Sequence, residues 1–148
     1  MFRDILPPTY LAIAVILILT IHFALPLAHV MEMPWRLAGI IPLVLGALLN
    51  LAADSSFKRY NTTVKPFKKS TTLVTGGVFR ICRHPMYLGF VLILLGIAVL
   101  LGSLSPYLVV ILFAVFLEFI YIREEERLLS EQFARQWEDY CERVRKWI

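Results

Sequence analysis

A run of residues able to grip anions and stack on flat ligands stands just ahead of one apolar stretch: Thr75-Gly76-Gly77-Val78-Phe79-Arg80-Ile81-Cys82-Arg83-His84-Pro85-Met86-Tyr87-Leu88-Gly89. Pro85 suits the first turn of a helix, where its missing N–H has no intrahelical partner. Free backbone donors and the helix dipole favour an anionic group near such a start. Arg83 can hold a carboxylate through two parallel hydrogen bonds, and His84 can donate to a heterocycle or stack on it. The same residues would also serve as a positively charged anchor at a membrane surface, with Tyr87 as its interfacial aromatic.

A second candidate is the acidic run Glu124-Glu125-Glu126, with Glu118 one to two turns earlier. On a continuous α-helix Glu118, Ile122 and Glu125 share a face and Glu126 lies beside it. A charged side chain facing lipid costs about 2.5–3.5 kcal/mol near the bilayer centre. These carboxylates are therefore expected to face protein, a water-filled pocket or a cation, with Arg80 and Arg83 as partners. A purely structural ion-pair network is the other reading. No metal site is expected, because His22, His29 and His84 are scattered and no paired His/Cys spacing occurs. No phosphate loop, nucleophile elbow or dinucleotide fingerprint is present.

The elements that must position these groups are hydrophobic. Of 148 residues, 59% are apolar and 18% charged, and the mean hydropathy is +0.72. A soluble core of this size could not cover so much apolar side chain, so the class is membrane. Four stretches, 8–30, 35–53, 87–104 and 106–122, are each long enough to cross ~30 Å of hydrocarbon as helix. The first begins after only Arg3 and lacks a small-residue cleavage site, so it is expected to be retained. Segment 54–85 carries Lys58, Arg59, Lys65, Lys68, Lys69, Arg80 and Arg83 against Asp54 alone. The positive-inside rule then places the 54–85 loop, the 123–148 tail and both termini in the cytosol. The net charge of +4 is read as topology and contact with anionic lipid, not nucleic-acid binding. Cys82 and Cys141 fall in cytosolic segments and are expected to remain thiols.

Gly39 and Gly46 are seven residues apart, as are Gly89 and Gly96. Each pair shares a helix face that admits a neighbouring helix or a ligand. Pro26 and Pro42 are expected to kink their spans. His22 and Asn50 either bond a neighbouring helix or line a cavity. After Ile122, Leu129, Phe133, Trp137, Tyr140, Val144 and Trp147 recur at three- and four-residue steps. That pattern predicts an amphipathic helix lying on the membrane surface or over the ends of the spans. The expected fold is all-α and polytopic: about four transmembrane helices plus an amphipathic C-terminal helix, forming one integral membrane domain over 1–148.

Leu73-Val74-Thr75-Gly76-Gly77-Val78-Phe79-Arg80, followed by Arg83-His84-Pro85-Met86-Tyr87-Leu88-Gly89, resembles the isoprenylcysteine carboxyl methyltransferase family and its phospholipid-methyltransferase relatives. Glu125-Glu126-Arg127-Leu128-Leu129, then Phe133, Tyr140 and Val144, is similar to that family's C-terminal signature. The two blocks cover roughly 73–148, and the first two spans carry only topology. The chain departs from the family's usual Gly at Ala134 and its usual Tyr at Trp137, and it lacks the common final proline after Ile148.

The resemblance implies a methyltransferase dependent on S-adenosylmethionine. It places Gly76, Gly77, Arg80, Arg83, His84, Tyr87, Gly89, Glu125 and Glu126 around the cofactor, with Arg83 and Glu125 as the catalytic pair. The methyl acceptor would be a lipophilic small molecule or a lipidated group, an isoprenylcysteine carboxylate or a lipid, reached among membrane lipids. Two other readings remain open. Sterol reductases dependent on NADPH share an Arg-His-Pro block and a tail that Trp137, Tyr140, Cys141 and Val144 also fit. A non-catalytic membrane protein binding anionic lipid or a partner helix needs only the basic loop.

Overall fold

A computed structural model describes residues 7–25, 27–60 and 72–148. Arg3, Pro26, Lys65, Lys68 and Lys69, invoked above, lie outside the described residues. The described chain is all-α, with helices α1 (Pro7–Ala24), α2 (Ile40–Arg59), α3 (Pro85–Leu101), α4 (Ser105–Leu117), α5 (Arg123–Phe133) and α6 (Arg135–Arg143). α1, α2 with the 3₁₀ turn Trp35–Gly39 before it, and the unbroken run Ser105–Phe133 are each long and apolar enough to cross a membrane. α3, at 17 residues, is shorter but equally apolar. The chain is thus a polytopic integral membrane protein. The spanning part of the long run ends near Ile122, because α5 opens with Arg123-Glu124-Glu125-Glu126.

Several span boundaries shift, for local reasons. α1 stops at Ala24 rather than near residue 30; Leu25 precedes a proline in the sequence and is disfavoured in helical conformation. The chain beyond it runs extended, with the Val30 N–H donating to Gly102 O at 2.8 Å and the Leu104 N–H to Ala28 O at 3.1 Å. Pro42 sits in the first turn of α2, not mid-span. It has no N–H to offer Ala38, and the preceding turn is wound as 3₁₀ instead. α2 continues past the expected end at residue 53 to Arg59, helped by an Asp54–Lys58 ion pair of 2.6 Å. α3 starts at Pro85, which occupies its first turn, and ends at Gly102.

α3 is the central post. Leu94 and Ala98 of α3 are fully buried against Ile18 of α1 and Leu117 of α4, within a cluster that also holds Phe113 and Tyr121. Its other side meets α2 through the paired glycines. A Cβ on Gly46 would lie 2.5 Å from Gly89 O, and one on Gly39 would lie 2.5 Å from Gly96 O. Seven-residue spacing on both helices therefore brings backbone against backbone, the helix-packing reading of these glycines. Asn50 completes the seam: its Nδ2 donates to Gly46 O at 2.9 Å, and the same group fills the space beside Gly89. His22 bonds outward from α1, with Nδ1 2.6 Å from Ser103 Oγ.

The tail departs from a single helix. α4 and α5 run continuously through one π-helical turn, Glu118–Ile122, and the amphipathic segment breaks at Ala134, whose φ is 41° and ψ −116°. This is backbone that favours glycine, and here it carries an alanine, at the position where the resembled family usually has Gly.

Two stability outcomes follow, both read by thermal melting in detergent. Gly46→Ala should cost about 1–3 kcal/mol through overpacking of the α2–α3 seam. Ala134→Gly should gain about 1 kcal/mol by relieving the strained φ.

Candidate active site

Three short segments meet at one end of the helix bundle. The 3₁₀ turn Gly77–Arg80 buries Phe79 against Ala53 and Phe57 of α2, and Val74 joins them. Gly77, at φ 64°, makes the corner that starts this turn. The Tyr140 hydroxyl of α6 donates to Phe79 O at 2.6 Å, fastening the turn to the tail from the other side. Burial pushes the Tyr140 phenol well up, so it stays a donor. The Arg83 N–H donates to Arg145 O at 3.0 Å, a second stitch between the turn and the tail. Trp137, Tyr140 and Val144 form a small apolar cluster over Leu73 and Leu129.

The charged groups sort around two neighbouring glutamates. Glu126 Oε1 lies 3.2 Å from Arg83 Nη2 and 3.3 Å from His84 Nε2, while Oε2 lies 3.0 Å from Lys146 Nζ. Glu125 Oε2 instead accepts the Tyr87 hydroxyl at 3.0 Å and pairs with no cation among the described residues. Arg83 lies 5.5 Å above the Trp137 ring and donates through Nη1 to Cys141 Sγ, while its Nε is buried without a partner. A cavity of about 40 Å³ opens between these groups, lined by Phe57, Thr72, Arg83, His84, Glu125, Trp137 and their neighbours.

Of the residues singled out in the sequence, Arg83, His84, Tyr87, Glu125 and Glu126 come together. Gly76 and Gly77 form the turn above them, Gly76 against the Tyr60 hydroxyl. Arg80 is exposed, and among the described residues no ion pair joins it to the glutamates. Gly89 is buried in the α2–α3 seam, about half a turn below Tyr87. Glu118 does not align with Glu125 as a regular helix requires, because the π turn adds one residue to the winding. Glu118 and Glu126 thereby face the same ammonium: Lys146 Nζ lies 2.9 Å from Glu118 Oε1. Lys146 is not singled out by the sequence. The only available signal was an uncompensated acidic run that needed a cation from elsewhere.

Charge explains why Glu126 stays ionised. Burial raises its carboxyl, but hydrogen bonds from His84 and Lys146, with the charges of His84 and Arg83, outweigh that and hold it at about 2 against an ordinary 4.5. A carboxyl depressed in the folded state stabilises the fold above its unfolded pKa, and that contribution drains away as pH falls toward the folded value. Melting temperature should therefore fall more steeply in the wild type than in Glu126→Gln on acidification from about pH 5 to about pH 2.5, with the variant starting lower at neutral pH.

The chain is similar to several known proteins. The chain is 32% identical over 110 residues to protein-S-isoprenylcysteine O-methyltransferase B of Arabidopsis thaliana, covering 72% of this chain and 55% of that protein. It is 34% identical over 77 residues to the cobalt-zinc-cadmium resistance protein CzcN of Cupriavidus metallidurans, covering 52% of this chain and 35% of that protein. Among solved structures, a eukaryotic intramembrane Ras methyltransferase, isoprenylcysteine carboxyl methyltransferase, superposes with a TM-score of 0.68 at 27% identity, covering 96% of this chain and 52% of that one. The chain thus spans about half or less of the length of these relatives. Residues 35–136, from the 3₁₀ turn before α2 into α6, match the family described as phospholipid methyltransferase, and the chain belongs to that family.

Proposed function

We propose that this protein transfers a methyl group from S-adenosylmethionine to a lipophilic acceptor at the membrane surface, as a single integral membrane domain. The observation that carries the reading is the polarity of the cavity wall. Glu125 faces it with no cation of its own, and Arg83 brings a buried Nε that has no acceptor. A ligand bearing a cation and a carboxylate would satisfy both. S-adenosylmethionine supplies an electrophilic methyl on a sulfonium, together with an amino-acid carboxylate. Arg83 would hold the carboxylate, Glu125 would balance the positive charge, and the Tyr87 hydroxyl would keep Glu125 in place. His84, fixed by Glu126, would present its ring to the flat part of the ligand, and Gly76, Gly77 and Arg80 would form the outer rim. Gly89 would act by letting α3 sit close to α2.

The acceptor fits the same arrangement. A carboxylate acceptor is already ionised at neutral pH, so orientation suffices and no strong base is needed. An apolar groove of about 260 Å³ runs between α1 and α4, from Leu17 and Leu112 up to Tyr10 and Phe116. The Tyr10 and Phe116 rings meet at a tilt, Tyr121 lies edge-on to Tyr10, and the Tyr121 ring centre is 6.1 Å from that of Tyr87. A prenyl or acyl chain lying in that groove would bring its head toward Glu125, and an isoprenylcysteine carboxyl group, for which the solved structural neighbour is named, has this form. By the positive-inside rule, Lys58, Arg59 and Arg80 would orient this end to the cytosol, from which the cofactor would enter.

Calorimetric titration of the purified protein should show S-adenosylhomocysteine binding in the micromolar range and no binding of NADPH. Arg83→Ala should weaken that binding by about 30-fold or more, the loss of a charged, two-pronged contact, and Glu125→Gln should weaken it less. Binding of NADPH alone would replace the methyltransferase with a reductase.

A further inference from the structure

The last five residues form a strap beneath the site. Val144 leaves α6 in extended conformation, the carbonyl of Arg145 receives the Arg83 N–H, and Trp147 packs on the membrane core. Lys146 lies between these two anchors, so its direction is fixed on both sides. Its ammonium meets Glu118 at 2.9 Å and Glu126 at 3.0 Å. These two glutamates converge on it only because the π turn rewinds the helix between them. Hydrogen bonds and charge from both glutamates outweigh burial and raise the Lys146 pKa, so the amine is a cation throughout the physiological range.

We propose that Lys146 is a positioning residue of the methyl-donor site, an assignment that rests on the function proposed above. Lys146 engages Oε2 of Glu126 and leaves Oε1 to fix Arg83 and His84. Without the ammonium, Glu118 keeps only the more distant Arg123, at 3.7 Å, and Glu126 must draw its whole compensation from Arg83 and His84. The guanidinium then turns onto the glutamate with both prongs, and the edge it offers to the cavity is lost. Lys146 touches neither the donor nor the acceptor in this scheme; it acts through Glu126.

The test is calorimetry with S-adenosylhomocysteine on the full chain, read below each variant's melting temperature. Lys146→Met and Lys146→Gln should each raise Kd about tenfold, the scale of one charge-assisted contact. Lys146→Arg, which keeps the charge, should restore Kd to within about twofold. Lys58→Met removes a surface ion pair of the same kind and should leave Kd unchanged. A strap that only stabilises the fold would lower the melting temperature of Lys146→Met or Lys146→Gln and leave Kd below it unaltered, and that result overturns the assignment. Failure of the wild type to bind S-adenosylhomocysteine is a different outcome, and it removes the function on which the assignment rests.

Discussion

The polar end of this molecule depends on how two carboxylates are neutralised where a membrane helix leaves its apolar layer. Glu118 and Glu126 sit two turns apart on one long run, and a single ammonium from the far end of the chain joins them. Arg83 and His84 close the other side of Glu126. Burying a carboxylate without such partners would be far more costly than any packing the tail could return. The pairing therefore fixes where the tail lies, and the tail in turn holds the Gly77–Arg80 turn through Tyr140. Removal of one cation reaches segments that never touch it.

Much of the architecture was legible in the sequence because lipid imposes a simple rule on composition. The four apolar stretches and the helix start at Pro85 are adopted as helices, and of the two readings open for the glycine spacing, a neighbouring helix or a ligand, the structure adopts helix packing. The convergence of the Arg-His-Pro corner on the Glu125-Glu126 pair was also foreseen, since a cation and a carboxylate at one membrane depth have few other partners. What escaped were features set by winding rather than composition. Nothing in Glu118-Phe119-Ile120-Tyr121-Ile122 marks a π turn, so the shared face of Glu118 and Glu125 expected of a regular helix is not found. The break at Ala134 was hidden because an alanine occupies a position where glycine would have announced it.

The site also joins two media. On one side stand Arg83, His84 and Glu125, groups suited to a polar, charged ligand. On the other, the α1–α4 groove is lined almost wholly by aliphatic and aromatic side chains. The rings of Tyr10, Tyr121 and Tyr87 connect them, each with an apolar face and a polar tip. Such residues can border both environments without leaving a donor stranded in hydrocarbon.

The α2–α3 seam carries a mechanical consequence. With glycine backbones meeting at two levels and the Asn50, Ile93 and Leu100 side chains filling the space beside them, these two helices have almost no slack along their contact. Ala53 and Phe57, at the end of α2, and His84, at the start of α3, are thereby carried on one stiff frame, and any breathing of the chamber must come from its remaining wall, the tail helices and the strap. The two glycine pairs are the stiff post of the molecule, and the tail is fastened to it by hydrogen bonds and ion pairs.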